Sequence, residues 1–151
     1  MSSDRRIAMI GLTSIIALGC SGLVNTLTAT EVGRVLITAP GTQSTSVYVT
    51  AAPLALWTDL NVEWEGDASM DYVVQVTQDG TVLSDGSCSP LDVNLTMNAR
   101  STDIGDRHTR IHQGLLHCTV DTPAEGLVDV SVTLNVQGRP NILSADVYLR
   151  Q

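Results

Sequence analysis

The sequence predicts an all-β fold in which two antiparallel sheets of about seven to nine strands pack face to face. Two observations support this. From residue 30 onward apolar and polar residues alternate along most of the chain, which is the period of a strand with one buried face. Turn-forming residues such as Pro40-Gly41, Gly66-Asp67 and Gly105-Asp106 interrupt the alternation at short intervals. An immunoglobulin-like or jelly-roll sandwich fits this pattern, and a closed barrel is the alternative.

The clearest alternation is found in three segments. Apolar residues occupy the even positions from Val128 to Val136, the odd positions from Leu91 to Ala99, and the odd positions from Ala145 to Leu149. Successive side chains of a strand point to opposite faces. Each segment is therefore predicted to be a strand with one apolar face.

Shorter runs of the same kind complete the predicted sheets. Their ranges are 33–39, 44–51, 54–65, 70–78, 81–84 and 111–120. Between two of them stands Asp79-Gly80, and a two-residue Asp-Gly loop is the strongest short signal for a hairpin. This hairpin is expected to pair Gln78 with Thr81 and Val76 with Leu83.

Residues 1–19 have the three parts of a signal peptide: a basic start with Arg5 and Arg6, an apolar run from Ile7 to Leu18, and small residues before the break. The run is shorter than the roughly 20 residues of a spanning helix. An uncleaved anchor extending to Val24 is the alternative. We therefore expect a leader helix in residues 1–19, a tether or first edge strand in 20–30, and a β-sandwich domain in 31–151.

The segment from Ala17 to Cys20 resembles the lipobox of bacterial lipoproteins, in which a cysteine receives a diacylglyceryl group and becomes the mature N-terminus. Three residues before the cysteine, a lipobox usually has a larger aliphatic residue than Ala17. Ala17 also suits ordinary signal peptidase, with Gly19 as the last residue removed. The cysteine count favours lipidation, because an odd number in an exported protein requires an explanation. Cys20 is the predicted lipidation site.

With Cys20 acylated, the other two cysteines form a pair. Export would place Cys88 and Cys118 in an oxidising compartment, where a disulfide persists. Closing the loop between them would stabilise the fold by about 3–4 kcal/mol in the chain-entropy model. Two buried free thiols are the alternative, and a structural metal is disfavoured because the chain has no CxxC spacing.

The charge limits the class of partner. The formal net charge is -8, all eight basic residues are arginine, and loss of residues 1–19 makes the chain one unit more negative. Such a surface repels phosphate backbones, so a nucleic-acid partner is not expected. It also repels anionic lipid head groups. Membrane attachment must therefore come from a lipid on Cys20 or from an uncleaved leader.

Side chains with catalytic or metal-binding chemistry are few. His108 and His112 are expected on one strand face with Arg110 between them, and His117 on the other face; the intervening cation disfavours a metal. Asp103 and Asp106 beside a glycine turn are weak calcium candidates, because the spacing of an EF-hand is absent.

No GxSxG or HExxH motif occurs. We therefore expect no cofactor, no catalytic residues and no enzymatic activity. A secreted hydrolase or a calcium-dependent factor is the alternative.

Strand parity indicates a candidate binding surface. Tyr48, Trp57 and Tyr148 alternate with apolar neighbours and are expected to point outward. Exposed aromatic side chains are typical of carbohydrate or protein contact sites. The alternative is that the three lie on separate edges or under loops.

The segments LALWTDLNVEWEG, DYVVQVTQDG, CSPLDVN and ADVYLRQ resemble parts of small uncharacterised bacterial envelope proteins that combine a leader, a β-sandwich and a cysteine pair. The resemblance spans most of residues 47–151 and implies a fold and a location, with no activity to transfer. The leading expectation is a lipid-anchored, non-enzymatic envelope protein that binds an envelope protein or a glycan, or has a structural role. A secreted or periplasmic protein and a carbohydrate-binding module are the alternatives.

Overall fold

The computed structural model describes residues 28–151. The described chain forms nine antiparallel strands in two sheets, which confirms the all-β sandwich. The strands are β1 (Glu31–Val35), β2 (Gly41–Val49), β3 (Ala55–Glu65), β4 (Ser69–Gln78), β5 (Thr81–Cys88), β6 (Val93–Ile104), β7 (Arg107–Leu116), β8 (Gly126–Gln137) and β9 (Asn141–Arg150). The expected leader helix of residues 1–19, and most of the 20–30 segment, lie outside these residues.

The five-stranded sheet has the order β1-β9-β3-β7-β6, and the four-stranded sheet has the order β2-β8-β4-β5. The chain crosses from one sheet to the other between β1 and β2. Ile37 in this crossing is buried, and its carbonyl accepts a hydrogen bond from the Ala145 amide at 2.8 Å. Within residues 28–151, no helix is both long enough and apolar enough to cross a bilayer.

The alternating apolar residues form the layer between the sheets. On β8, Val128, Val130, Val132 and Leu134 are at most 1% exposed. Strand β6 differs, because its apolar positions are only half-buried. It lies at the edge of its sheet, and its register against β7 shifts twice. The single apolar face predicted from Leu91 to Ala99 is therefore wrong. Val93 pairs with the core residue Leu116, whereas after the first register shift Leu95 and Met97 pair with Leu115 and Gln113 on the opposite face of the sheet.

One polar contact crosses this layer. The Tyr72 hydroxyl on β4 donates to the Ala145 carbonyl at 2.8 Å and lies 2.8 Å from the Thr58 hydroxyl on β3. Both side chains are fully buried, and a buried polar group without a partner is costly. Burial raises the pKa of Tyr72. These hydrogen bonds therefore fix the position of one sheet relative to the other.

The β4–β5 hairpin confirms the Asp-Gly prediction in part. Asp79 and Gly80 have φ angles of 49° and 79°, as a tight two-residue hairpin turn requires, and Gln78 pairs with Thr81. The predicted pairing of Val76 with Leu83 is wrong. A bulge shifts the register, and Val76 pairs with Ser84.

Several predicted strand ranges also need correction. The strand predicted at 44–51 spans Gly41–Val49, the strand predicted at 81–84 spans Thr81–Cys88, and the strand predicted from Leu91 to Ala99 spans Val93–Ile104. The strand predicted at 111–120 spans Arg107–Leu116, because the turn at Gly105-Asp106 leads directly into it. The strand predicted at 33–39 is Glu31–Val35, because the following residues cross between the sheets.

Candidate functional site

Cys88 and Cys118 form a disulfide with a Cα–Cα distance of 5.5 Å. Cys88 ends β5 in the four-stranded sheet, and Cys118 follows β7 of the five-stranded sheet. The bond therefore joins the two sheets covalently near the β5 edge. Cys20, the predicted lipidation site, lies outside the described residues.

Trp57 and Tyr148 pair across β3 and β9 on the outer face of the five-stranded sheet. Their ring centroids are 6.2 Å apart. The expectation that they are exposed is wrong, because Trp57 is 0% and Tyr148 4% exposed. Among the described residues, no group accepts a hydrogen bond from the Trp57 indole nitrogen.

Two arginines account for part of this burial. The Arg150 guanidinium lies 5.0 Å from the Trp57 ring centroid and donates to the Ala29 carbonyl. The Arg34 guanidinium lies 4.7 Å from the Tyr148 centroid. Arginine binds aromatic faces by cation–π attraction and covers apolar surface with its aliphatic stem. The two rings therefore belong to an outer layer of packed side chains.

The Arg34 guanidinium also donates hydrogen bonds to three carboxylates. It binds Glu31 through two hydrogen bonds of 2.9 Å and donates to Asp59 and Asp146 at 3.2 Å each. These partners raise the pKa of Arg34, and the Arg34 hydrogen bonds lower the pKa of Glu31. Asp146 additionally accepts the Ile37 amide at 2.8 Å. The cluster thus ties β1 and the crossing segment to β3 and β9, which is a structural role.

Tyr48 lies on the other sheet. It is 60% exposed, pairs with Leu127 across β2 and β8, and donates its hydroxyl to Glu125 at 2.9 Å. Of the three aromatic residues predicted to form a binding surface, the structure therefore brings Trp57 and Tyr148 together beneath other side chains. Tyr48 is separate from them and accessible.

The outer face around Tyr48 is rich in hydroxyl groups. Four aligned cross-strand pairs of β2 and β8 cover it: Thr42–Thr133, Ser44–Ser131, Ser46–Asp129 and Tyr48–Leu127. The hydroxyls of Thr42 and Thr133 are 2.7 Å apart, and the Ser46 hydroxyl donates to Asp129 at 2.5 Å. Apart from carboxylates, the strands of this sheet carry no charged side chain. The face is polar, acidic and open to solvent.

The histidine and aspartate candidates form no metal centre. His108 pairs with Trp64 and His112 with Leu60, so these histidines share the inner face of β7 as expected. His112 bonds the Pro90 carbonyl at 2.9 Å.

Asp103 binds the His108 ring at 2.7 Å and Arg110 at 2.8 Å, and these bonds lower the pKa of Asp103. Asp106 lies in the β6–β7 turn, where its carbonyl accepts the Gly66 amide. Among residues 28–151, no group of three metal-ligating side chains converges.

An open cleft of about 590 Å³ lies at the end of the sandwich where β9 begins. Trp64 lines it, with Glu63, Arg107, Arg139 and Asn141 among the polar neighbours. The Trp64 ring lies 5.2 Å from the His108 ring and 5.4 Å from the Arg110 guanidinium. Trp64 is half-buried and packs against the core, and strand parity gave no indication of the cleft. Strand β3 ends at Glu65, the residue after Trp64. The indole ring of Trp64 therefore lies at the end of the layer packed between the sheets.

Comparison of the chain with protein-family models, with curated proteins and with solved structures finds no match.

Proposed function

We propose that this chain is an exported, lipid-anchored, non-enzymatic β-sandwich protein of the bacterial cell envelope. The observation that carries the proposal is the Cys88–Cys118 disulfide. A disulfide of this kind is typical of oxidising compartments outside the cytoplasm. Pairing uses two of the three cysteines in the sequence, so the third, Cys20, remains for acyl modification at the end of the leader-like segment.

The acidic net charge supports anchoring through a lipid. The formal net charge is -8, and an acidic surface gains no attraction from anionic head groups. One acyl chain binds a membrane only marginally, whereas several chains anchor stably. A multiply acylated Cys20 would therefore hold the domain at the bilayer without a basic patch.

The mass of the full-length gene product isolated from membranes tests this proposal. We expect a species that begins at Cys20 and carries the mass of several acyl chains. In the matched variant Cys20→Ser, the acyl mass should disappear and the protein should leave the membrane fraction. A soluble wild-type species that begins at Cys20 without acyl mass would overturn the lipoprotein assignment.

The cleft at Trp64 favours a second candidate, carbohydrate binding. An indole ring beside carboxylate, guanidinium and amide groups supplies both the apolar surface and the hydrogen-bonding groups that sugars require. This cleft takes the place of the surface expected at Trp57 and Tyr148, which are buried.

Binding to a glycan array, compared between wild type, Trp64→Ala and Tyr48→Ala, tests the candidate. We expect binding that is lost in Trp64→Ala and kept in Tyr48→Ala. The Trp64 site is wrong if the wild type binds no glycan or if Trp64→Ala binds as the wild type does.

A further inference from the structure

The two sheets of the described chain end in four edge strands, β1, β2, β5 and β6. An edge strand presents unpaired backbone donors and acceptors to any other extended chain. Proteins limit unwanted pairing at such an edge by a short edge strand, bulges, charged side chains, proline or a covering loop. The four edges of this sandwich differ sharply in these features.

Three edges carry such protection. Strand β1 has five residues, a register shift and the charged residues Glu31 and Arg34. Strand β5 contains the bulge, and its Leu83 carbonyl accepts the Asp121 amide from a neighbouring loop at 2.8 Å. Strand β6 has two register shifts and a residue at positive φ, Asn98.

Strand β2 has none of these features. Its nine residues, GTQSTSVYV, include no charged residue and no proline. It pairs with β8 from end to end without a register shift. Strand β1 covers the inner face of β2, where a Cβ on Gly33 would collide with the Val47 side chain. No described strand pairs with the free edge of β2.

We propose that this edge binds a second copy of the same chain, with the two β2 strands pairing antiparallel about a twofold axis at Thr45. The two four-stranded sheets would then join into one continuous sheet of eight strands. Such an interface is isologous, so each residue contacts its counterpart on the other copy reciprocally. The pairing does not depend on the lipid anchor.

Self-pairing about Thr45 is chemically consistent on the outer face. It places Ser44 opposite Ser46 and Thr42 opposite Tyr48, all on the outer face. Pairs of hydroxyl and aromatic side chains stabilise antiparallel strands. Even-numbered residues meet even-numbered residues, so the outer face of one copy continues into the outer face of the other. Val47 and Val49 stay on the inner face.

Charge permits this contact and makes it depend on salt. The β2 strand is neutral, and the nearest carboxylate on its neighbouring strand is Asp129. Two Asp129 side chains would lie about three strand spacings apart, or about 14 Å. This exceeds the Debye length of about 8 Å at physiological ionic strength. The net charge of the whole chain still opposes association, so added salt should strengthen it.

Sedimentation of the full-length protein, purified in density-matched detergent at low and high salt, tests the proposal. We expect a dimer whose dissociation constant falls as salt rises. Thr45→Lys places two ammonium groups opposite each other on the axis and should raise that constant at least about tenfold. Thr102→Lys, at an exposed position of β6, controls for the added positive charge and should leave the constant unchanged.

A monomeric wild type at about 100 μM and both salt concentrations would overturn the proposal, as would equal weakening by the two lysine variants. Amide hydrogen exchange of the wild type at two protein concentrations provides a test that needs no variant. Protection that rises with concentration in β2 and stays constant in β6 supports the dimer. Constant protection in β2 contradicts it.

Discussion

The outer faces of the two sheets differ in what covers them. On the five-stranded sheet, Trp57 and Tyr148 are buried beneath side chains that include Arg34 and Arg150. On the four-stranded sheet, Tyr48 is 60% exposed among hydroxyl-bearing neighbours. The same residue type at an outward position thus has a structural role in one sheet and is accessible in the other.

The distribution of charge follows the same division. Among the described strands, every arginine lies in the five-stranded sheet, where six carboxylates accompany five arginines. The four-stranded sheet carries only Asp71, Asp85 and Asp129 as charged residues on its strands. Long cationic side chains can cover apolar rings, and the four-stranded sheet has none. The five-stranded sheet therefore has packed layers on both faces, whereas the four-stranded sheet is open on its outer face.

Removing the indole at the centre of the outer layer should have the largest effect. Trp57→Ala is expected to lower the free energy of unfolding by about 4 kcal/mol, because truncating a buried aromatic ring leaves a cavity. Val73→Ala, on the outer face of the four-stranded sheet, should cost about 0.5 kcal/mol or less. Urea denaturation of both variants measures the difference. Similar losses would show that the two outer faces are equally packed.

Removing the bond between the sheets should have the next largest effect. The double variant Cys88→Ala/Cys118→Ala is expected to lose about 3–4 kcal/mol of stability, because the unfolded chain regains the freedom of a loop of roughly 30 residues. Denaturation with and without reductant measures this. Reductant should destabilise the wild type to the level of the variant and leave the variant unchanged. A wild type insensitive to reductant would contradict the disulfide.

A smaller effect is expected from the hydroxyl that links the sheets. Tyr72→Phe should lower stability by about 1–2 kcal/mol, because the buried Ala145 carbonyl and the Thr58 hydroxyl lose their partner. Tyr48→Phe removes an exposed hydrogen bond to Glu125 and should leave the unfolding midpoint unchanged. Thermal unfolding compares the two variants. Equal midpoints would show that the Tyr72 hydroxyl does not contribute to stability.

The smallest expected effect is the acid titration of Glu31. The hydrogen bonds from Arg34 lower the pKa of Glu31 below the ordinary glutamate value of 4.5 in the folded protein. As pH falls, the Glu31 carboxylate is therefore protonated at a higher pH in the unfolded state than in the folded state. The ion pair with Arg34 thus stabilises the fold above pH 4.5. That contribution is lost as pH falls through the lower folded pKa. Unfolding measured from pH 7 to 3 should show a shallower acid dependence in Arg34→Gln than in the wild type. Identical profiles would contradict the ion pair.

The sequence predicted the features that depend on local chemistry. Alternation along β8 identified the inward face correctly, and Asp79-Gly80 located a hairpin, because both follow from strand period and turn geometry. Cysteine arithmetic identified the pair Cys88 and Cys118 that the structure joins. The predicted acylation of Cys20 is still a prediction.

Other features depend on contacts between distant segments. The parity of Trp57 predicted its face correctly, but its burial depends on Arg150, which is 93 residues away in sequence and adjacent in space. The bulge in β5 prevents Val76 from pairing with Leu83, and the alternation of apolar and polar residues in the sequence does not indicate this bulge. The Trp64 cleft forms where loops between different strands meet, so strand patterns alone could not locate it.

The most direct test of the division between the two sheets is the loss of stability caused by Tyr148→Ala compared with that caused by Tyr48→Ala, measured by urea denaturation under one set of conditions. The structure predicts a loss of about 3 kcal/mol for Tyr148→Ala and an unchanged free energy of unfolding for Tyr48→Ala. Equal effects of the two substitutions, or a larger effect of Tyr48→Ala, would contradict a five-stranded sheet with a packed outer face and a four-stranded sheet with an open one.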